Sequence, residues 1–167
     1  MGKDIHMFIV GKQGIIKSNI YTGRNYVWFD QLTDAGDYAD DYANLPITFG
    51  WSPFTPEILK IRYSRERDYY DHYHFKVKYF VEWFEKYRPN VDAGWVTTYD
   101  KWLYETKGII PHLTHELSER TSEDDFYPQD WHFIEVEKPD DCSKWLYDYI
   151  KENNIDGNAD VTYCFDW

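Results

Sequence analysis

The chain has no apolar run approaching the roughly 18 residues that a membrane-spanning helix needs, and no basic stretch leading into an apolar one near its N-terminus. Neither a membrane span nor a signal peptide is expected, so a cytoplasmic location follows. Cysteine is scarce. Cys142 and Cys164 stand far apart without C-x-x-C spacing, which argues against a disulfide framework, a zinc ribbon or a redox motif and leaves two reduced thiols. Positive charge is also short: 18 Lys and Arg face 30 Asp and Glu, a net −12 that repels duplex nucleic acid and anionic membranes. No Walker loop, G-x-S-x-G, G-x-G-x-x-G or Cys/His nucleophile pattern occurs. Gly2 does not read as a myristoylation site, because His6 stands where that motif takes Ser or Thr.

Aromatic residues are abundant at 20% of the chain, with 16 Tyr and eight Trp. Their large apolar bodies and polar tips suit half-buried surfaces that a ligand or partner later covers. A length of 167 residues fits a single domain, 1–167, able to bury a core without staples. The acid concentrates in Asp34 to Asp41 and Glu116 to Asp130, ordinarily solvated segments. The charge admits two kinds of partner: a small anionic nucleotide ligand in a local basic pocket, or a basic host protein drawn to the acidic surface.

Residues 4–10 and 14–21 are apolar runs joined by Gly11-Lys12-Gln13-Gly14, which predicts a hairpin. Within the first run, period two sets Ile5, Met7 and Ile9 on one face and Asp4, His6 and Phe8 on the other, the first face for the core and the second for chemistry. Tyr26, Trp28, Phe29 and Leu32 form a stripe suited to one or two helical turns, and residues 34–53 read as a long loop. Pro56-Glu57 opens a helix reaching Arg67, with Thr55 as N-cap. Val77, Phe80, Val81 and Phe84 are spaced i, i+3, i+4, i+7 on a second helix that stops before Pro89, and a third spans Tyr99 to Lys107 with Gly108 as terminator. Residues 118–130 read as polar and mobile, Trp131 to Glu137 as a strand, Trp145 to Ile150 as helix, and Val161 to Phe165 as a last strand. The class is therefore α+β: a small, mostly antiparallel sheet, made of the N-terminal hairpin and C-terminal strands, packed with about four helices, its first and last strands neighbours.

Asp4 and His6 project about 6.5–7 Å apart on a strand, a spacing that lets them share a metal, a water or a phosphate. His72 and His74 leave one face if their segment is extended, and point about 200° apart if it is helical. Asp4, His6, His72 and His74 together offer four ligands for zinc, manganese or iron. Without a metal, two imidazoles serve as general base and acid in phosphodiester cleavage. The plainer alternative is a polar edge and a polar helix start. Arg24, Asn25 and Tyr26 beside Gly23 offer a guanidinium, an amide and a ring able to clamp phosphate and stack a base; the plainer alternative is a turn with Asn25 as a cap. His112, His115 and Glu116 lack H-E-x-x-H spacing and read as an exposed helix start.

Met1-Gly2-x-Asp4-Ile5-His6, followed by Gly23-Arg24-Asn25-Tyr26, resembles a family of small phage and bacterial hypothetical proteins that begin Met-Gly-x-Asp-Ile-His. Leu45-Pro46, Pro56-Glu57, the His72-x-His74 pair and the closing Phe165-Asp166-Trp167 look similar as well, whereas Trp95 to Asp130 does not. Lys3 stands where the family often has Cys, so a thiol ligand there is not required. The resemblance implies a phage setting, with the host cytoplasm as location, and candidate site residues, without attaching an activity. The leading expectation is a protein that binds, and in its enzymatic version hydrolyses, a nucleotide-like phosphodiester as a counter-defence factor. Asp4, His6, His72 and His74 would carry the catalysis or a divalent metal, and Arg24, Asn25 and Tyr26 the substrate. The alternatives are a non-enzymatic acidic inhibitor occupying a basic site on a host protein, and a nucleotide sponge without turnover.

Overall fold

The computed structural model describes residues 4–21, 45, 47–63, 71–116, 130–137 and 142–166. These form an α+β arrangement of four helices, a five-stranded antiparallel sheet and a separate two-stranded sheet, divided between two compact units, Met1–Arg88 with Cys142–Trp167 and Pro89–Asp141.

In the first unit, β1 (Asp4–Gly11) and β2 (Gly14–Tyr21) make the expected hairpin, closed where Gly14 takes a φ of +116°, a conformation that favours glycine. β7 (Asp160–Asp166) pairs with the other edge of β1, followed by β4 (Asp71–Lys76) and the short β3 (Thr48–Phe49), giving the order β2-β1-β7-β4-β3. First and last strands are thus neighbours, as the sequence suggested. β3 lies inside the segment read as a long loop; residues 34–44 of that segment, and the stripe from Tyr26 to Leu32, lie outside the described residues.

One sheet face presents Ile5, Met7, Ile9, Val161, Tyr163 and Phe165 to two helices, α2 (Val77–Tyr87) and α4 (Cys142–Glu152). α2 contributes Phe80, Trp83 and Phe84 from its predicted stripe, and α4 contributes Leu146 and Ile150. Burying side chains of this size stabilises by about 1.5–3 kcal/mol each. α2 ends at Arg88, left-handed at φ 46°, because Pro89 disfavours continued helix at the preceding residue.

The opposite face is not given over to chemistry alone. Phe8 and Val10 are fully buried there with Cys164, beneath Leu59 of α1 (Glu57–Arg62) and Tyr63. α1 stops at Tyr63, short of the expected Arg67, and its N-cap is Pro56 without a side-chain bond. Thr55 is turned away from the helix, its hydroxyl 3.5 Å from that of buried Thr162, because a polar strand position needs a partner more than the exposed helix start needs a cap.

The second unit contains β5 (Val91–Thr97), α3 (Thr98–Lys107) and β6 (Trp131–Glu137). β6 and α3 match expectation, with Thr97 accepting from the Asp100 amide at 3.2 Å and Gly108 left-handed at φ 66°. β5 carries no clear strand pattern, since Asp92 and Gly94 interrupt its apolar alternation. His112 to Glu116 do not start a helix. Thr114 exchanges backbone hydrogen bonds of 2.8 and 3.0 Å with Trp95, adding a bridge to β5, and this pairing satisfies groups that a helix behind Pro111 would leave open. The bridge requires Gly94: a Cβ there would stand 2.9 Å from Leu113 Cβ and 3.2 Å from the Thr114 carbonyl. Gly94→Ala is expected to cost about 1–3 kcal/mol as overpacking. Urea unfolding and exchange of the Thr114 amide measure this, and an unchanged exchange rate would refute the close approach.

Candidate active site

The pairing of β1, β7 and β4 arranges the second sheet face in rows. His6 and His72 both stand opposite Cys164, Phe8 and His74 opposite Thr162, and Val10 and Lys76 opposite Asp160. Because β4 is extended, His72, His74 and Lys76 share its face, which settles the alternative left open by the sequence. Strands about 4.8 Å apart set the backbones of His6 and His72 roughly 10 Å apart, with the buried Cys164 thiol between them.

Each β4 imidazole is oriented by a backbone carbonyl. His72 Nε2 donates to Tyr63 O at 3.0 Å, and His74 Nδ1 donates to Gly50 O at 2.9 Å. A carbonyl only accepts, so these nitrogens carry protons, and Nε2 is the His74 ring nitrogen left to act as a base. Gly50 takes a φ of +100° and its amide donates to His72 O, so a position that favours glycine serves both histidines. Trp51 follows with its ring 4.2 Å from that of His72, and the His6 ring lies 5.1 Å from Tyr63.

His74 lines a cleft of about 390 Å³ whose walls include Pro53, Phe54, Lys76, Tyr79 and Asp160. At its base Asp160 is buried. One carboxylate oxygen accepts from Ser52 Oγ at 2.6 Å, and the other, which has no hydrogen bond among the described residues, lies 3.6 Å from Lys76 Nζ. His6 and His72 do not line this cleft. The sequence candidates therefore separate: His6 and His72 flank Cys164 around Tyr63, while His74 reaches an open concavity. The Asp4 carboxylate and Arg24, Asn25 and Tyr26 lie outside the described residues, so their convergence with the histidines does too. Among the described residues, no group of three or more His, Cys, Asp or Glu is placed to hold a metal ion.

No family model, curated protein or solved structure matches this chain. The site combines a tautomer-fixed imidazole, an ammonium held beside a buried carboxylate, and two aromatic walls, an arrangement able to seat a planar group, meet an anion and move a proton.

Sequence reasoning missed Lys76, Asp160 and Ser52. A signal existed in the last strand, where Asp160, Thr162 and Cys164 recur at every second position and mark a polar row. None of the described helices is long and apolar enough to cross a membrane.

Proposed function

We propose that the protein binds a nucleotide-like phosphodiester in the cleft beside β4 and hydrolyses it, with His74 as general base. The observation that carries this reading is the His74 ring, held through Nδ1 by Gly50 and lining one cleft with Lys76, Phe54 and Tyr79. In this reaction His74 Nε2 takes a proton from water as the water oxygen bonds to phosphorus. The P–O ester bond breaks, and the leaving alkoxide is protonated by solvent. Lys76 supports the charge on the phosphoryl oxygens, and the aromatic walls hold the base. In a phage setting this chemistry would remove a nucleotide signal of host defence. Incubating the full chain with cyclic and linear nucleotides, with and without chelator, tests the reading. Product formed by the native protein and lost in His74→Ala supports it. Ligand retained unchanged identifies a sponge, and no product or binding overturns it.

One observation favours a non-enzymatic second reading. The Pro89–Asp141 unit holds 13 Asp and Glu against four Lys and Arg, so −9 of the chain's −12 falls within it. It also exposes Tyr99, Trp102 and Phe133. That charge, together with these exposed rings, suits a basic protein partner, through steering and cation–π contacts. Under this reading, charge reversal at Glu135 and Glu137 weakens capture of that partner and raised salt slows association, since exposed charges are screened beyond about 8–10 Å. His74→Ala would leave capture unchanged, and salt-independent association would refute the reading.

A further inference from the structure

Two clefts of the first unit meet at Lys76, and this geometry, on the nucleotide reading above, narrows the ligand class. Beyond the His74 cleft lies a larger one of about 790 Å³, lined by the β1–β2 turn and the strand ends beside it, Gly11 to Ile16, together with Asp156 and Asn158. Phe54 and Lys76 line both clefts. We propose that the ligand is two nucleosides joined by an internal phosphodiester, with one half in each cleft and the phosphate at Lys76.

Charge selects the diester. Lys76 Nζ stands 3.6 Å from Asp160, an ion contact longer than a hydrogen bond, and its side chain is 39% exposed, so its N–H donors can turn to a ligand. Asp160 cannot leave: it is buried and anchored by Ser52 Oγ at 2.6 Å. The carboxylate opposes the ammonium charge at the junction. An internal diester brings a single negative charge there, whereas a terminal phosphate monoester brings about −1.5 to −2 and is repelled more strongly by Asp160. The N-terminus of α2 does not make up the difference, because the Val77 and Lys78 amides already donate to Ala159 O and Gly157 O at 3.0 Å each.

Size selects the second half. A nucleoside in the His74 cleft leaves the larger cleft unfilled. That cleft offers Lys12, Asp156, Asn158 and the turn backbone, donors and acceptors suited to a sugar and a base edge. Linking the halves makes the second contact intramolecular, so affinity rises without further charge.

Titration calorimetry of the full chain with three probe sets tests the proposal: nucleoside 5′-monophosphates, 3′,5′-cyclic mononucleotides and dinucleoside monophosphates, each with all four ribonucleosides. Dinucleoside monophosphates are expected to bind roughly tenfold tighter or more than either single-nucleoside set. Asn158→Trp, at an exposed position, fills the larger cleft and should remove that advantage while sparing cyclic mononucleotide binding. Lys76→Met should weaken both diesters. If cyclic mononucleotides bind as tightly as dinucleoside monophosphates, or Asn158→Trp changes neither, the two-cleft ligand is overturned and the nucleotide reading stands. If no probe set binds, the nucleotide reading falls and takes this proposal with it.

Discussion

His74→Ala is expected to lower turnover of a phosphodiester substrate by roughly 10²-fold or more, the contribution typical of a positioned general base. The fold should survive, because His74 is only partly buried and the bond of its ring to the Gly50 carbonyl is worth about 1 kcal/mol net. His74→Gln sharpens the test. An amide can keep a donor toward Gly50 but has no basic nitrogen, so binding should persist while turnover stays low. His6→Ala separates cleft chemistry from packing: the His6 ring rests on Tyr63 away from the cleft, so its loss should change turnover by severalfold at most. Steady-state rates with a dinucleoside monophosphate decide between these outcomes. A His74→Ala variant with native turnover, or a His6→Ala variant as damaged as His74→Ala, would remove His74 from the role of base.

Tyr163→Ala should be among the most destabilising single changes in the first unit, at about 3–5 kcal/mol for deletion of a buried aromatic ring. Tyr163 is fully buried in β7, its ring 5.7 Å from each of Tyr73, Phe75 and Phe165. Against a typical total of 5–15 kcal/mol, that loss would leave the unit marginal, and thermal or urea unfolding measures it. Tyr163→Phe keeps the ring and isolates the hydroxyl. Burial, and then the neighbouring Tyr73, hold that hydroxyl well above the ordinary tyrosine range near 10. Below about pH 10 the group is neutral in both folded and unfolded chains, so stability does not depend on it there. Above that, the unfolded chain loses the proton while the folded one keeps it, so stability falls as pH rises toward the folded value. Tyr163→Phe should therefore flatten part of the alkaline limb of a stability–pH curve. An identical limb in both proteins would show that Tyr163 ionises as readily inside as outside.

Local pattern was enough for the elements whose signals are local. The alternation in Ile5, Met7 and Ile9, the turn Gly11 to Gly14, the stripe Val77, Phe80 and Phe84 ending before Pro89, and Gly108 closing α3 each record a backbone preference or a face to be buried, and each appears where its residues demand. β5 escaped because Gly94 is there to let Leu113 and Thr114 approach, a reason that lies outside the strand. The role of Thr55 is not legible locally, because its partner, Thr162, comes from the far end of the chain.

The candidate site divides along the same line. The chain by itself determined a composition rich in aromatics and poor in cations, a net charge of −12, and that His72 and His74 would share a face if extended. Only the tertiary structure decided that they are extended, that His6 and His72 flank Cys164, and that His74 joins Lys76 and Asp160 in a cleft. Strand pairing between segments distant in sequence sets those neighbours. A period of two fixes which face a side chain takes, but the side chain it meets there is chosen by register, which the packing of the whole sheet selects.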